Sequence, residues 1–447
     1  MLNKIFNWLV LGILVLLPWQ TRLIIAPAEI NGAFWEYGTI SLWLIDLLIL
    51  AALFFWSIKQ KINFTSLLKK PSNLKVLLLG LIIILIISVS QALMPLPALL
   101  KAVNIILAIV AGYLITQTTL SYKTLLKTFL ISASLCGLLG IGQFISQEAP
   151  ANTWLGLGGH DPKEPGVSVV EATASDGVNE RWLRAYGSLD HPNVLGGLMA
   201  IAFLFSVWLL YNRQEREEKE IKINKSLQEI IPVLSLVISL AALLLSFSRA
   251  AWLAALLGFI WLSIRQIIKK KNLSEMIIVM VIAIFIFGLI FSQYSHLFTA
   301  RIEHNSRLEI KSSEERITGF SDSVEVMAKY YLTGTGPNSY TKALASSDGA
   351  KQPAWFYQPV HSVPLLLISE FGVFSFVWLL TCLFYLTIVF LKKNKSNKGL
   401  SISLLILIII ISLLDHWPYS LHFGPIFLAT TFALIIKISK ERLKEKP

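Results

Sequence analysis

Four basic side chains have the chemistry to hold an anion and to take up a proton. Arg249 interrupts the apolar run SLAALLLSFSRAAWLAALLGFIWL, and Arg184, Arg316 and His361 lie in polar segments between other apolar runs. Arginine presents a fork of N–H donors that matches phosphate oxygens. Histidine, whose unperturbed pKa is about 6.5, is mostly neutral at pH 7 and can accept a proton. These residue types suit a site for a phosphate-bearing group.

Further residues of suitable type lie close to these four in the sequence. The segment ERWLRAYGSLDHPNVLGG contains Arg181, His191 and Asn193, and the turn TGTGPNSY contains Gly336 and Tyr340. Glycine turns allow backbone N–H groups to approach an anion. Several cations and flexible turns could therefore converge on one ligand.

Each of the strongest candidates also has a simpler interpretation. Arg249 could be an arginine that reaches lipid headgroups with its charged end, because a charge in hydrocarbon is otherwise costly. His191 stands beside Pro192 and could cap the helix that follows. His361 could be a helix-end histidine bonded to a backbone carbonyl.

Composition indicates what kind of molecule must position these residues. Apolar residues make up 55% of the 447 and charged residues only 15%, which leaves too little polar surface for a soluble globule. We therefore predict that residues 1–447 form a single integral membrane domain. Cys136 and Cys382 both fall in apolar segments, so neither a disulfide framework nor a cysteine metal site is expected.

Twelve apolar runs are long enough to cross about 30 Å of hydrocarbon as helices. They cover residues 5–25, 40–58, 74–92, 98–116, 127–146, 192–211, 229–247, 250–266, 274–292, 361–391, 400–416 and 424–438. The first could instead be a signal peptide, but the run resumes as LIIA after Arg22, which favours a retained helix. The predicted fold class is all-α, a polytopic membrane bundle of about 12 helices.

The distribution of Lys and Arg sets the orientation of this bundle. With the N-terminus inside, the cytoplasmic segments are 59–75, 117–127, 212–228, 265–273, 392–399 and the tail from Lys437, and they hold most of the 39 basic residues. Because basic residues favour cytoplasmic segments, both termini are predicted to be cytoplasmic. The net charge of +12 is accordingly a topology signal and does not point to nucleic acid.

Two long segments, 147–191 and 293–360, then face the extracytoplasmic side. Both are rich in Gly, Pro, Ser and Asn, and neither is expected to fold as an independent domain. Within the second, apolar residues recur at helical spacing and predict an amphipathic helix on the membrane surface or on the bundle: Ile317, Phe320, Val324, Met327 and Tyr331. Arg249 falls in a tight turn at the outer leaflet, on the same side as the other candidates.

Three other charges lie inside the predicted spans. Asp46 could pair with an arginine of the site or line a polar seam, and Lys101 could extend to the outer interface. For Glu370, a structural role is the favoured interpretation.

From about residue 180 to 375, four segments resemble, in order, motifs of the O-antigen ligase and O-antigen polymerase superfamily of membrane glycosyltransferases. RAYGSLDHPN is similar to its Arg-x-x-Gly…Pro-Asn motif and SFSRAAW to its Ser-x-Ser-Arg turn. ERITGFSDSVEVMAKYYLTGTGPNSY resembles its Arg…Gly-x-Gly…Tyr loop, and HSVPLLLISEFGVFSF its His-Asn-x-x-Leu…Glu-x-Gly helix. DHWPYSLHFG resembles the final outer loop. Ser362 departs from the family, which often has Asn there.

The resemblance implies a GT-C-like fold and transfer of a glycan from an undecaprenyl-pyrophosphate carrier to an acceptor hydroxyl. The reaction would take place at the outer face of the cytoplasmic (inner) membrane. The implied catalytic residues are His361 as base and Arg184 and Arg249 as a pyrophosphate clamp, and the implied substrate-binding residues are Arg316, Arg181, His191, Asn193, Tyr340 and Gly336. In-line attack would invert the anomeric centre. The implied partners are the lipid-linked donor, a glycan, lipid or protein acceptor, and membrane lipids.

The chemistry is expected to need no metal and no cofactor. The seven histidines show no HExxH pattern, and no paired-Asp motif of a metal-dependent glycosyltransferase is present. Three functions stay open: a ligase that transfers a finished glycan, a polymerase that joins repeat units on the carrier, and a transporter or flippase of lipid-linked sugars or small anions. Clustering of the charges at one face argues against the transporter.

Overall fold

The computed structural model describes residues 1–60, 73–173, 179–212, 225–270, 272–303, 307–348 and 352–444, and it is mainly helical. The helices are α1 (Leu2–Leu16), α2 (Leu44–Gln60), α3 (Asn73–Ser90), α4 (Pro95–Gln117), α5 (Tyr122–Ser146), α6 (Pro192–Tyr211), α7 (Lys225–Leu245), α8 (Arg249–Lys269), α9 (Leu273–Glu303), α10 (Arg307–Lys329), α11 (Tyr340–Ser347), α12 (Val363–Lys393), α13 (Lys398–Leu414), α14 (Trp417–Ser420) and α15 (Phe423–Lys444).

Within the described residues, seven helices are long and apolar enough to cross a membrane: α4, α5, α6, α8, α9, α12 and α15. Four shorter apolar helices, α1, α3, α7 and α13, accompany them. A multi-pass helical bundle is therefore confirmed, while the predicted number of about 12 spans stays a prediction.

Strands interrupt the helical pattern at the first two predicted spans. Short antiparallel pairs join β1 (Arg22–Ala26) to β4 (Ile40–Trp43), β2 (Glu29–Ile30) to β3 (Ala33–Phe34), and β5 (Val169–Thr173) to β6 (Asn179–Leu183). The prediction of one helix over 5–25 is wrong beyond Leu16, and the helix predicted over 40–58 starts only at Leu44. Pro18 lacks the N–H that a continuing helix needs, and the β-branched residues of RLIIA favour a strand.

Helix α6 forms the centre of the bundle, because nearly all of its residues are buried against its neighbours. It packs on α5, α7, α8 and α13. A Cβ on Gly196 would lie within 3.0 Å of Ser246 and Ser248, so this glycine allows the turn before α8 to pack closely on the start of α6. The N-terminal ends of α6 and α8, which carry Asn193 and Arg249, are thereby held side by side.

Helix α12 is broken in its third turn, at Gly372. Gly372 has a φ of +75°, a conformation that suits glycine. Beside the break, the amides of Thr335 and Gly336 donate to the carbonyls of Ser369 and Glu370. Irregular backbone at this depth is tolerated where protein covers it and satisfies its polar groups.

The contacts between segments divide the bundle into two ends. At one end, the Asn7 amide donates to Thr119, and Arg442 donates to Asn212 and Asn397. These contacts join the N-terminal helix and the segments that charge counting assigns to the cytoplasm. The candidate site residues lie at the opposite end.

Helix α10 contains Ile317, Phe320, Val324 and Met327 of the predicted amphipathic segment but ends at Lys329, before Tyr331. Ser323 and Val326 are buried against the bundle, whereas Ile317 and Phe320 are more than half exposed. The apolar stripe therefore does not pack on the described part of the bundle. Its exposure favours the other predicted location, the membrane surface.

Candidate active site

A cavity of about 670 Å³ opens at the end of the bundle that carries the candidate residues. Its walls come from the start of α6, the first turns of α10, the 415–417 segment and the β2–β3 and β5–β6 hairpins. Six of the nine predicted site residues line it: Arg181, Arg184, His191, Asn193, Arg316 and His361. Arg249, Gly336 and Tyr340 are not part of its wall. The structure thus brings together most of the site predicted from sequence.

Arg184 is the most deeply placed cation in the cavity, with only 4% of its surface exposed. Its Nε donates to the carbonyl of Ser246 and its Nη2 to Oδ1 of Asn193, both at 2.7 Å. No described residue accepts a hydrogen bond from its Nη1. Burial, followed by the nearby charge of Arg301, lowers the pKa of Arg184 well below its ordinary value. A bound anion would offset both effects.

His191 serves as the N-cap of α6, as its simpler interpretation suggested. Its Nδ1 accepts a hydrogen bond from the backbone N–H of Asn193 at 3.1 Å, and its Nε2 lies 2.8 Å from the hydroxyl of Ser168. Burial, and then the charge of Arg184, lower the pKa of His191 to about 3, so the imidazole is neutral at pH 7. With both ring nitrogens engaged, its role in substrate binding stays a prediction.

Asp415 joins the arginine to the histidine of the predicted site. Its Oδ2 accepts a hydrogen bond from the side-chain amide of Asn193 at 2.8 Å, and its Oδ1 accepts one from the backbone N–H of His416 at 2.8 Å. The same Oδ1 lies 3.7 Å from Nδ1 of His361. Burial would raise the pKa of this carboxyl, but the contact with His361 and the neighbouring imidazoles lower it below its ordinary value. The group is therefore ionised at pH 7.

The His361 ring stands between Asp415 and the open cavity. Its Nδ1 is buried and lacks a hydrogen-bond partner among the described residues, because 3.7 Å exceeds a hydrogen-bond distance. A shift of less than about 1 Å would close that contact, as catalytic hydrogen bonds often close on substrate binding. A proton held on Nδ1 by the carboxylate leaves Nε2 as the acceptor atom.

His361, Asp415 and His416 could together hold a metal ion, since their ligand atoms all lie within 4.8 Å of one another. Two of these groups already have partners. The Nδ1 of His416 lies 2.6 Å from the Ser420 hydroxyl, and both carboxylate oxygens of Asp415 accept hydrogen bonds. Burial also lowers the pKa of His416 to about 4, so this imidazole is neutral at pH 7 and able to bind metal. Metal-free chemistry accordingly stays a prediction.

Arg249 does not line the cavity and lies in the first turn of α8. Its Nη1 is 3.1 Å from Oε2 of Glu309, and Oε1 of the same carboxylate pairs with Arg301. Glu309 and Arg301 both line the cavity and are both buried. The arginine predicted for the pyrophosphate clamp is thus held by an internal carboxylate.

The other two predicted arginines lie nearer the rim. Arg181 donates to the carbonyl of Pro162 at 2.7 Å and pairs with Glu171 at 3.6 Å. Arg316 is partly exposed and forms no ion pair with any described residue. Arg316 is therefore the cation on the cavity wall whose charge is most available to a ligand.

Gly336 and Tyr340 lie in a turn whose contacts are with the scaffold and not with the cavity. The turn that contains them wraps around the buried carboxylate of Glu370. This carboxylate accepts hydrogen bonds from the backbone N–H groups of Asn338 and Tyr340 and from the Tyr419 hydroxyl. Gly336 has a φ of +90°, and a Cβ there would clash with Ala92. The Tyr340 hydroxyl is buried without a hydrogen-bond partner among the described residues. Neither residue is brought to the cavity, and the structural interpretation of Glu370 fits these contacts.

A smaller cavity of about 110 Å³ lies beside the first, lined by residues such as Asp46, Lys101 and His422. His422 bonds to Asp46 at 3.0 Å, so Asp46 pairs with a histidine and not with an arginine. Lys101 is 5% exposed and donates to the Ser420 carbonyl at 3.1 Å. The prediction that Lys101 extends to the interface is wrong, because the 415–422 segment covers it.

Among the cavity residues that were not predicted from sequence, four make the contacts that organise the site: Arg301, Glu309, Asp415 and His416. Asp415 and His416 lay in a segment already identified as similar to a family loop, yet its aromatic residues suggested interfacial anchoring. Arg301 and Glu309 follow the predicted ninth span in an ordinary-looking charged stretch, and only the fold shows that they are buried.

Comparison with known protein families identifies residues 234–380 as similar to the family described as O-antigen ligase. The match confirms the resemblance to this superfamily. It includes Arg249, Arg316 and His361, and it ends before Asp415. Arg184, His191 and Asn193 lie upstream of it. No curated protein matches the chain.

Proposed function

We propose that this chain, whose residues 234–380 match the O-antigen ligase family, transfers a glycan from an undecaprenyl-pyrophosphate carrier to an acceptor hydroxyl. The reaction takes place at the outer face of the cytoplasmic membrane. A glycosyltransferase-type activity and lipid-linked glycan partners follow from the family in general terms. The particular donor, the acceptor, the face of the membrane and the residue roles are our proposal.

One observation carries the proposal. Arg184 and His361 line the same cavity and are connected by Asn193 and Asp415 through two hydrogen bonds and one 3.7 Å contact. The cavity therefore offers a buried guanidinium group for a phosphate and an imidazole for a hydroxyl, held at fixed positions relative to each other. Transfer from a pyrophosphate needs both functions at once.

The reaction is a single displacement at the anomeric carbon. Nε2 of His361 takes the proton of the acceptor hydroxyl, and the hydroxyl oxygen forms a bond to the anomeric carbon. The bond from that carbon to the bridging phosphate oxygen breaks, and the electron pair leaves with undecaprenyl pyrophosphate. Arg184 and Arg316 stabilise the negative charge that develops there. Attack opposite the leaving group inverts the anomeric configuration.

We further propose that no metal takes part. His416 and both carboxylate oxygens of Asp415 already have hydrogen-bond partners in the protein and so do not depend on an ion to satisfy them. The arginines supply the positive charge that a divalent cation would otherwise provide. An unchanged rate in EDTA would support this part of the proposal, and inhibition that Mg²⁺ or Zn²⁺ reverses would contradict it.

The decisive experiment uses purified wild-type protein, an undecaprenyl-pyrophosphate oligosaccharide and a panel of glycan, lipid and protein acceptors. Release of carrier pyrophosphate is measured together with product length. A single transferred glycan indicates a ligase, and a ladder of repeat units indicates a polymerase. Lack of carrier release with every acceptor would end the enzyme proposal and favour the transporter alternative.

Two variants and two matched controls locate the chemistry. Arg184→Ala should lower kcat/KM about 100-fold or more, because a charge-stabilising donor is lost. His361→Ala should lower kcat by about 100-fold to 10,000-fold through loss of the base. His422→Ala and Arg22→Ala remove a second histidine and arginine that line only the smaller cavity. Full activity of both site variants, or equal losses in the controls, would refute the assignment.

A further inference from the structure

The most unusual electrostatic feature outside the proposed chemistry is the carboxylate of Glu309. It is 3% exposed and pairs with two arginines, Arg249 through Oε2 and Arg301 through Oε1. The Nε of Arg301 also donates to the carbonyl of Phe247 at 3.1 Å. These contacts fix the first turn of α10 on the turn that precedes α8.

The contacts of Glu309 imitate those of a bound phosphate. Two guanidinium groups face one carboxylate, which presents one oxygen to each of them as a phosphate would. Glu309 and Arg301 are both in the cavity wall, and Arg249 pairs with Glu309 without lining the cavity itself. The carboxylate therefore neutralises an arginine that is one contact away from the cavity.

The charges in this corner of the cavity favour a pyrophosphate diester. Arg184, Arg249, Arg301 and Arg316 are close enough for the charge of each to affect at least one of the others, and Glu309 is the carboxylate among them. Four positive charges and one negative charge leave an excess of positive charge, and a pyrophosphate diester carries two negative charges. An incoming diester would thus be attracted here, and a displaced carboxylate would make the arginine cluster still more attractive to it.

We propose that Arg249 and Arg301 form a latent phosphate site, which Glu309 fills as an internal anion until a pyrophosphate group displaces it. This inference rests on the proposed function only for the identity of the natural ligand. Displacement moves the first turn of α10 away from α8, so donor binding and the position of α10 are coupled. The arginine pair is kept from binding unrelated anions while no donor is present.

The alternative is that the network only fastens α10 to the bundle. A purely structural ion-pair network and an exchange site make opposite predictions when the carboxylate is neutralised. In the first case the protein loses stability and an added anion does not restore it. In the second case an added anion takes the place of the lost carboxylate.

The test measures binding of inorganic pyrophosphate to the purified full-length protein in detergent, by calorimetry and by thermal shift. Glu309→Gln should bind pyrophosphate at least about tenfold more tightly than wild type, the ratio expected if Glu309 leaves the arginine pair free in one molecule in ten. The variant should melt at a lower temperature than wild type without ligand, and pyrophosphate should restore most of that loss.

A second variant keeps the test informative if Glu309→Gln folds poorly. Glu309→Asp keeps the charge but shortens the side chain by one methylene, so it cannot contact both arginines as Glu309 does. It should bind pyrophosphate about threefold more tightly, an intermediate gain that reflects partial occupation of the site. Adding Arg249→Ala to Glu309→Gln should abolish the gain.

Glu171→Gln is the matched control. Glu171 also contacts two arginines of the cavity wall, Arg181 at 3.6 Å and Arg307 at 3.2 Å, but the Arg307 side chain is 73% exposed. It removes the same charge, but Arg307 is solvent-exposed and Arg181 stays bonded to the Pro162 carbonyl, so the affinity should change less than about twofold. Equal tightening in this control, or none in either Glu309 variant, would overturn the inference.

The outcome does not depend on the proposed enzyme activity. Pyrophosphate binding is measured without a glycan donor or an acceptor, so failure to observe transfer leaves the result intact. Conversely, a protein that transfers glycan but shows no gain in Glu309→Gln keeps its proposed function and loses the latent site.

Discussion

Among single residues, Asp415 has the contacts that best explain how the cavity is organised. It accepts hydrogen bonds from Asn193 and from the backbone of His416, and it lies 3.7 Å from His361. Asn193 in turn accepts from Arg184. Because one carboxylate contacts both halves of the proposed reaction centre, a small shift in its position would misplace the base and the phosphate donor together.

We expect Asp415→Asn to lower kcat by about 10-fold to 100-fold, with a smaller change in the donor KM, because the variant loses orientation of the His361 ring. The pH–rate profile should also change, since the carboxylate no longer favours the proton on Nδ1. Asp46→Asn is the control, because it breaks a similar Asp–His pair that lines only the smaller cavity. An unchanged pH profile and kcat in Asp415→Asn would contradict the positioning role.

A substitution at Tyr340 can distinguish the predicted role in substrate binding from a role in packing. Its hydroxyl is buried without a hydrogen-bond partner among the described residues, and the residue does not line the main cavity. Tyr340→Phe should therefore leave the donor and acceptor KM within about twofold and should not lower the melting temperature, because no hydrogen bond is lost. A tenfold rise in KM would support the prediction made from sequence.

The sequence predicted the residues of the site better than their contacts. Arg184, His361 and Arg316 were identified because their types suit a phosphate-bearing ligand and because they lie in segments that resemble motifs of the family. Glu309 could not be identified in this way, because a glutamate in a charged stretch is usually solvated. Its burial depends on Arg301 and Arg249, which become its neighbours only after α8, α9 and α10 have packed.

At the level of secondary-structure elements, the break in α12 shows how a helix and a loop satisfy each other's backbone hydrogen bonds. Glu370 lies just before Gly372, at the point where the helix loses its regular hydrogen bonds. The Gly-x-Gly turn supplies the missing donors, and the Glu370 carboxylate binds the amides of Asn338 and Tyr340. The segment before His361 is thereby attached to the helix that begins two residues after His361.

We expect Glu370→Gln to lower the free energy of unfolding by about 1–3 kcal/mol, because buried amide donors lose a charged acceptor. The melting temperature in detergent measures this loss. Tyr419→Phe removes one of the three donors to Glu370 and should cost about 1 kcal/mol. If Glu370→Gln melted as wild type yet lost activity, Glu370 would belong to the reaction chemistry and not to the scaffold.

The long apolar helices were predictable from the sequence, and the short strands were not. The predicted span over residues 192–211 coincides with α6, because an apolar run of this length has one stable form in a bilayer. In contrast, RLIIA reads as apolar continuation of a helix although it forms β1 against Ile40–Trp43. The pairing partner lies beyond a hairpin, and local hydropathy carries no information about it.

On the scale of the whole molecule, acid should destabilise the protein through buried imidazoles. The pKa of His191 is lowered to about 3 and that of His416 to about 4, against about 6.5 in an unfolded chain. At these two groups the unfolded state therefore binds up to two more protons than the folded state between pH 6.5 and 4, and their contribution to stability falls as the pH decreases.

Melting temperatures of the detergent-solubilised protein between pH 7.5 and 4.5 measure this dependence. His191→Asn removes one of the two groups and keeps a side-chain acceptor at the N-cap of α6. Its melting temperature should fall less steeply with decreasing pH than that of wild type. Identical slopes for the two proteins would show that His191 does not titrate between the folded and unfolded states.

Sidedness is the property of the whole molecule on which the proposed function depends most. Helix α5 has 25 residues, a length of about 37 Å, and it separates the end of the bundle at Thr119 from the hairpins that wall the cavity. Charge counting places Thr119 in the cytoplasm and Trp154 outside.

Single cysteines at these two exposed positions, in a background lacking Cys136 and Cys382, can be labelled in intact cells with a membrane-impermeant maleimide. Trp154→Cys should react at once and Thr119→Cys only after permeabilisation, because a maleimide of this kind cannot cross the bilayer. The reverse pattern would place the cavity in the cytoplasm and exclude transfer at the outer face.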